Sequence, residues 1–231
     1  MRALLPLSAD PVTFGHLILI RQARERFDEV VVAILDNESK RGRYLFTPEE
    51  RLAFLTDAVN RLGLPGVRVI AAPGTLLVDV YLREACDAVV RGVRSEAERQ
   101  SEVAANRLHN AILSGFDGNY VYVDASEAWR DVSSSLVKGL VSCGVDVSPF
   151  APLPVKEALE HRILGRSTIA VTGPIASGKS HVSAKLAALI PTFGIPCVHL
   201  SYDALLRDLY EEKTPGAERV RERLAALLGG N

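Results

Sequence analysis

The chain has 231 residues, enough for one large domain or for a medium domain followed by part of another. Hydrophobic residues make up 48% and charged residues 24%, an ordinary soluble composition, and the net charge of −1 gives no bulk electrostatic footing for nucleic acid. The opening MRALLPLSAD is too short for a secretory signal, no run reaches the roughly 18 apolar residues of a membrane span, and Cys86, Cys143 and Cys197 form no CxxC, so a cytoplasmic protein with reduced thiols is expected.

Strands and helices alternate from the start. Residues 2–7 (RALLPL) read as a short apolar strand, followed by a turn at Asp10-Pro11 and a helix whose apolar positions are Leu17, Ile20, Ala23 and Phe27. EVVVAIL at 29–35 is β-branched and nearly continuous, as a strand buried on both faces should be. The second helix is announced by Thr47 as cap, Pro48 in its first turn and Glu50 completing a capping box, with Leu52, Leu55, Val59 and Leu62 as its buried stripe. VRVIAA (67–72), DAVVRGV (87–93) and NYVYVD (119–124) predict three further strands with helices between them. Five strands with helical crossovers imply an α/β fold, a Rossmann-like doubly wound parallel sheet whose ligands sit beyond the carboxyl ends of its strands.

Residues 144–166 are richer in proline and predict one helix, PVKEALEHRIL. A new unit then opens: STIAVT as a strand, GPIASGKS as a turn, HVSAKLAALI as a helix and PCVHL as a second strand. The domain boundary is placed between residues 164 and 165.

Candidate chemistry gathers after successive strands. Gly15 permits close backbone approach at a helix N-terminus, which attracts anions, and His16 adds a donor from the first turn. Lys40 follows the second strand, Arg91 and Arg94 the fourth, and Ser133, Ser134 and Ser135 open another helix with Lys138 one turn in. Each has an ordinary explanation as a surface charge or a cap. Their joint placement points instead to a phosphate site.

SADPVTFGH, FTPEER, RGVRSEAERQSE and WRDVSSSLVK, in this order and spacing, resemble phosphopantetheine adenylyltransferase, a nucleotidyltransferase marked by an [H/T]xGH motif, here Thr13-Phe14-Gly15-His16. The resemblance runs over residues 1–164. It implies transfer of AMP from ATP to 4′-phosphopantetheine, giving dephospho-coenzyme A and pyrophosphate. It also implies roles: His16, Lys40 and Arg91 as catalytic groups; Ser8, Gly15, His16, Arg94, Glu102 and Ser133–Ser135 for ATP; Ser8, Lys40, Leu76, Leu77 and Arg91 for 4′-phosphopantetheine. Mg²⁺ would bridge phosphates with few protein ligands. Ser8 stands where the family has threonine, Ala9 where it has an aromatic residue, and Arg130-Asp131 where smaller or apolar residues are common.

Gly173-Pro-Ile-Ala-Ser177-Gly178-Lys179-Ser180 matches GxxxxGK[ST] between a predicted strand and helix, the context a P-loop requires. With Asp203 it resembles the opening of dephospho-coenzyme A kinase, and the order of the two units is similar to bifunctional coenzyme A synthase. Asp203 is the candidate base, or a cap for the helix that follows, with Ser201 replacing the first acid of the family's pair. The 66 residues from Arg166 to Asn231 are too few for the kinase's five strands and lid, and lack the later strand that lies between its first two, so a truncated P-loop α/β unit without kinase turnover is expected. Other readings are a nicotinamide-mononucleotide adenylyltransferase or cytidylyltransferase, and a non-catalytic nucleotide-binding module. The bacterial relatives are hexamers, so both a homo-oligomer and a monomer stay open.

Overall fold

The computed structural model describes residues 1–36, 42–112, 119–211 and 214–227. They divide into two compact units, Met1–Thr168 and Ile169–Asn231. The first holds five strands, β1 (Arg2–Leu7), β2 (Glu29–Ile34), β3 (Val67–Ala71), β4 (Ala88–Val93) and β5 (Tyr120–Asp124), each parallel to its neighbours in the order β3-β2-β1-β4-β5. Six α-helices accompany them: α1 (Phe14–Arg26), α2 (Pro48–Leu62), α3 (Leu77–Arg83), α4 (Glu96–Ile112), α5 (Ser134–Ser142) and α6 (Leu153–Leu164). This is the expected doubly wound α/β sheet, with β1 at its centre.

Strand periodicity explains how the sheet is covered. Ala3, Leu5, Val30, Val32 and Ile34 share one face and pack with Leu17 and Ile20 of α1, Leu55 and Val59 of α2, Val137 of α5 and Leu159 of α6. Leu4, Val31 and Ala33 turn to the other face, against Val80 of α3 and Cys86. Because both faces are buried, β1 and β2 read as continuous apolar runs rather than alternating ones. The α2 start forms as expected: Glu50 N–H donates to Thr47 Oγ1 at 3.3 Å, and Glu50 Oε2 accepts from Thr47 N–H at 2.8 Å. Gly92 in β4 has a packing reason, since a Cβ there would stand 2.6 Å from Leu19 Cδ2 of α1.

The second unit contains α7 (Lys179–Leu189), a 3₁₀ turn (Ile190–Phe193), α8 (Tyr202–Glu211) and α9 (Pro215–Leu227). The expected strands at 167–172 and 196–200 do not form, and among the described residues this unit has no strand. A strand exists by virtue of ladder partners, and among the described residues these two apolar segments have none. Ile169, Val198 and Leu200 are accordingly exposed.

Burial beneath α3, reinforced by the carboxylates of Glu84 and Asp87, pushes the Cys86 thiol up to about 11. At pH 8 that thiol stays protonated, whereas Cys143 is exposed. Timed iodoacetamide labelling of the native protein at pH 8, read by peptide mass, is expected to modify Cys143 rapidly and Cys86 only after denaturant is added.

Candidate active site

Crossovers leave β1 toward β2 on one side and the sheet continues through β4 on the other, so the carboxyl ends of β1 and β4 flank the point where strand order reverses. Open α/β sheets place their crevice there. A cavity of about 640 Å³ occupies it. Ser8, Gly15 and His16 enter its wall from the β1–α1 connection, Arg91 and Arg94 from β4 and the turn after it, Glu102 from α4, and Ser133, Ser134 and Ser135 from the start of α5. Leu76 and Leu77, at the start of α3, add an apolar part to its wall. Residues read from five separate stretches of sequence thus converge on one space. Lys40 lies outside the described residues.

The β1–α1 connection is held by Asp10, whose side chain is 3% exposed. Its carboxylate accepts from the N–H groups of Leu45 (3.1 Å) and Phe46 (3.0 Å) and from Lys138 Nζ of α5 (2.8 Å). Burying a carboxylate is costly unless such partners replace water. Beside it, Ser134 Oγ donates to the Pro11 carbonyl at 2.8 Å, a second tie between α5 and the same loop. The serine run therefore divides its work. Ser133 caps α5, its Oγ accepting from Leu136 N–H at 3.1 Å; Ser134 tethers the helix; and the first turn of α5 borders the cavity as an anion-attracting N-terminus. Lys138, which resembled a further cation for the site, is committed to Asp10.

His16 is oriented by its own helix start. Thr13 N–H donates to His16 Nδ1 at 3.0 Å. A ring nitrogen that accepts a hydrogen bond carries no proton, so in the neutral ring the proton sits on Nε2, and the imidazole is a donor at that atom. Across the cavity, Arg91 Nε lies 2.8 Å from Glu102 Oε2, an ion pair whose alignment falls short of a hydrogen bond. Glu102 is itself carried on an α4 anchored to β5 by the Asn106–Tyr122 hydrogen bond and by Arg99 with Asp124, the latter at 2.6 Å. Arg94 is more exposed and pairs with Glu98 of its own turn at 3.5 Å. Phe14 and Trp129 meet edge to face, ring centroids 6.0 Å apart, with Trp129 lining the cavity.

Two cavity-side residues have no counterpart among the sequence-derived candidates. Asp36, where the chain leaves β2, lines the cavity, and Arg51 of α2 lies behind it with a side chain 1% exposed. The expected buried stripe of α2 is corrected accordingly: Leu55 and Val59 are buried, Leu52 and Leu62 half-buried, and Arg51 fully buried. The signal was available in the helical spacing, because 51 precedes 55 by one turn. Among the described residues no three His, Cys, Asp or Glu side chains gather as metal ligands. No described helix is long and apolar enough to cross a membrane.

In the second unit, the helix after the GPIASGKS turn begins at Lys179, with Gly178 at φ +84° and Ala176 at +63°. Lys179 Nζ donates to the Pro174 carbonyl at 2.7 Å, folded over the turn, while Gly173, Ser177 and Ser180 are exposed. Asp203 sits in the first turn of α8 and does not cap it; Ser201 Oγ takes that place, accepting from Ala204 N–H at 3.4 Å.

Fold and cavity together define a nucleotidyltransferase. Residues 8–140 match the cytidylyltransferase-like family. The phosphopantetheine adenylyltransferase of Limosilactobacillus reuteri strain DSM 20016 is 37% identical over 169 residues, covering 73% of this chain and 94% of the relative. That of Deinococcus radiodurans is 37% identical over 162 residues, 70% of this chain and 93% of its own. The chain belongs to the phosphopantetheine adenylyltransferases, a cytidylyltransferase-like family.

Asp10→Ala would strand the Lys138 ammonium and two backbone N–H groups, and is expected to cost about 3 kcal/mol of stability. Asp10→Asn, which keeps an acceptor, should cost less. Urea denaturation of both variants checks the order.

Proposed function

We propose that the first unit transfers the adenylyl group of ATP to 4′-phosphopantetheine, releasing pyrophosphate and forming dephospho-coenzyme A in coenzyme A biosynthesis. The observation that carries this reading is one cavity whose wall combines donors and cations, His16, Arg91 and the α5 N-terminus, with an uncharged stretch, Leu76 and Leu77. Such a space suits a triphosphate meeting a phosphate that carries a long neutral arm.

The reaction forms a bond between an acceptor phosphate oxygen and the α-phosphorus and breaks the bond to the pyrophosphate oxygen. The acceptor phosphate is ionised near neutral pH and requires no strong general base. What remains is to hold two polyanions together and to receive the charge that grows on the leaving group. In this reading His16 gives its Nε2 hydrogen to the phosphoryl oxygens and stays a donor because Thr13 occupies Nδ1. Arg91, aimed by Glu102, grips the reacting phosphates together with Lys40. The first turn of α5, with Ser133–Ser135, receives the ATP phosphates, Ser8 the acceptor phosphate, and Arg94 and Glu102 lie near the nucleotide. Mg²⁺ would supply positive charge between the phosphates; the hydroxyls of this cavity and its arginine-paired carboxylates fit a phosphate-bridging ion rather than a protein cage.

The second unit is read as the front of a dephospho-coenzyme A kinase. Gly173, Ser177, Gly178, Lys179 and Ser180 form its phosphate turn, and Asp203 is its base candidate. The turn conformation at Ala176 and Gly178 supports phosphate binding, while the lack of strands among the described residues argues against phosphoryl transfer by them.

His16→Ala is expected to lower pyrophosphate release with ATP and 4′-phosphopantetheine about 10²–10³-fold, with a stability loss near the roughly 1 kcal/mol of a helix cap. Near-normal turnover would remove His16 from the mechanism; release with nicotinamide mononucleotide or with CTP, but not with 4′-phosphopantetheine, would replace the reaction. For the second unit, calorimetric titration with ATP should show two classes of site, one of which Lys179→Ala abolishes. A single class untouched by that change would leave the P-loop without a role.

A further inference from the structure

The carboxyl-end rim of the sheet changes the sign of its charge along the strand order. Over β4 and β1 the cavity presents Arg91, Arg94 and His16, and the Glu102 carboxylate there is taken up by Arg91 at 2.8 Å. Over β2 it presents Leu35 and then the carboxylate of Asp36, and beyond that Gly74 to Leu77, which carry no charge. A carboxylate facing a space built for polyanions repels what the site must bind, unless its place serves another part of the ligand.

Asp36 is held with some expense. Arg51 reaches it from α2, its NH2 donating to Asp36 Oδ1 at 3.0 Å while NH1 donates to the Ser8 carbonyl at 2.9 Å. The guanidinium lies 4.2 Å from the centre of the Tyr44 ring and is the largest fully buried side chain of the protein's described residues. One buried cation thus ties the ends of β1 and β2 together and fixes Asp36 by one oxygen. The Asp36 side chain is still 31% exposed, toward the cavity. A surface ion pair would not need so buried a partner; among the described residues this arrangement sets a carboxylate at a defined spot and offsets its charge from behind, through Arg51.

We propose that Asp36 is a specificity-determining residue: its carboxylate accepts a hydrogen bond from an N–H or O–H group on the uncharged arm of the acceptor and turns away acceptors that carry a second anion there. Arg51 is the positioning residue that holds it. The inference rests on the acceptor reading given above and adds its polarity: phosphates over β1 and β4, neutral arm over β2. A site that rejects by charge discriminates far better than one that merely lacks a contact, because the wrong ligand meets an unpaired like charge.

The test compares 4′-phosphopantetheine with 4′-phosphopantothenate, whose arm ends in a carboxylate in place of a neutral amide, by pyrophosphate release and the ratio of kcat/KM for the two. Wild type is expected to favour the neutral acceptor, and Asp36→Asn, which keeps the shape and an acceptor for Arg51, to lower that preference about tenfold. Asp36→Glu should retain most of it. In wild type the preference should also shrink as salt rises, a measurement that needs no variant to fold. A distorted pocket would slow both acceptors and leave the ratio alone, so an unchanged ratio in Asp36→Asn, or a wild-type preference indifferent to salt, overturns the proposal while the transferase reading stands. No release from wild type with ATP and 4′-phosphopantetheine would sink that reading first, and this one with it.

Discussion

The buried carboxylate of Asp10 is the contact on which the site's assembly depends. It joins three stretches that have no local reason to meet: the loop after β1, the backbone ahead of α2, and the middle of α5. Without those donors the loop would leave a charge in the interior, and with them it has one arrangement of low free energy. Because His16 lies in the first turn of the helix that follows this loop, and the serine cap belongs to the helix that Lys138 anchors, the same interaction sets both helix starts at the cavity.

The charges around the cavity are held rather than loose. Arg91 has Glu102, Lys138 has Asp10, Asp36 has Arg51, and His16 has the Thr13 N–H. Groups held in this way need little reorientation to meet an anion, the condition under which fixed charges act more strongly than water does. The helices contribute N–H groups at fixed positions for the same reason.

The architecture of the first unit was legible because parallel strands buried on both faces must be apolar throughout; EVVVAI of β2 announces itself. The site was legible in part, through residues that follow successive strands and therefore share a rim. Asp10 escaped because its partners lie 35 and 128 residues away, and no local pattern encodes them. Arg51 escaped because an arginine inside a helix is read as solvent-facing even when its spacing puts it on the buried side. The two predicted strands of the second unit went wrong for a related reason: β propensity is local, but a ladder requires a partner from elsewhere.

Gly92 shows how such a site can be adjusted by an atom that is not there. With only hydrogen at that position, Leu19 of α1 settles directly onto β4. The helix whose first turn carries His16 and the strand that carries Arg91 are thereby set at a separation that no side chain on Gly92 props open. The bite of the pocket is gauged at this bare contact, on the cavity wall itself and next to Arg91, and a single methyl added there would press the tip of Leu19 aside without altering one of the charged teeth.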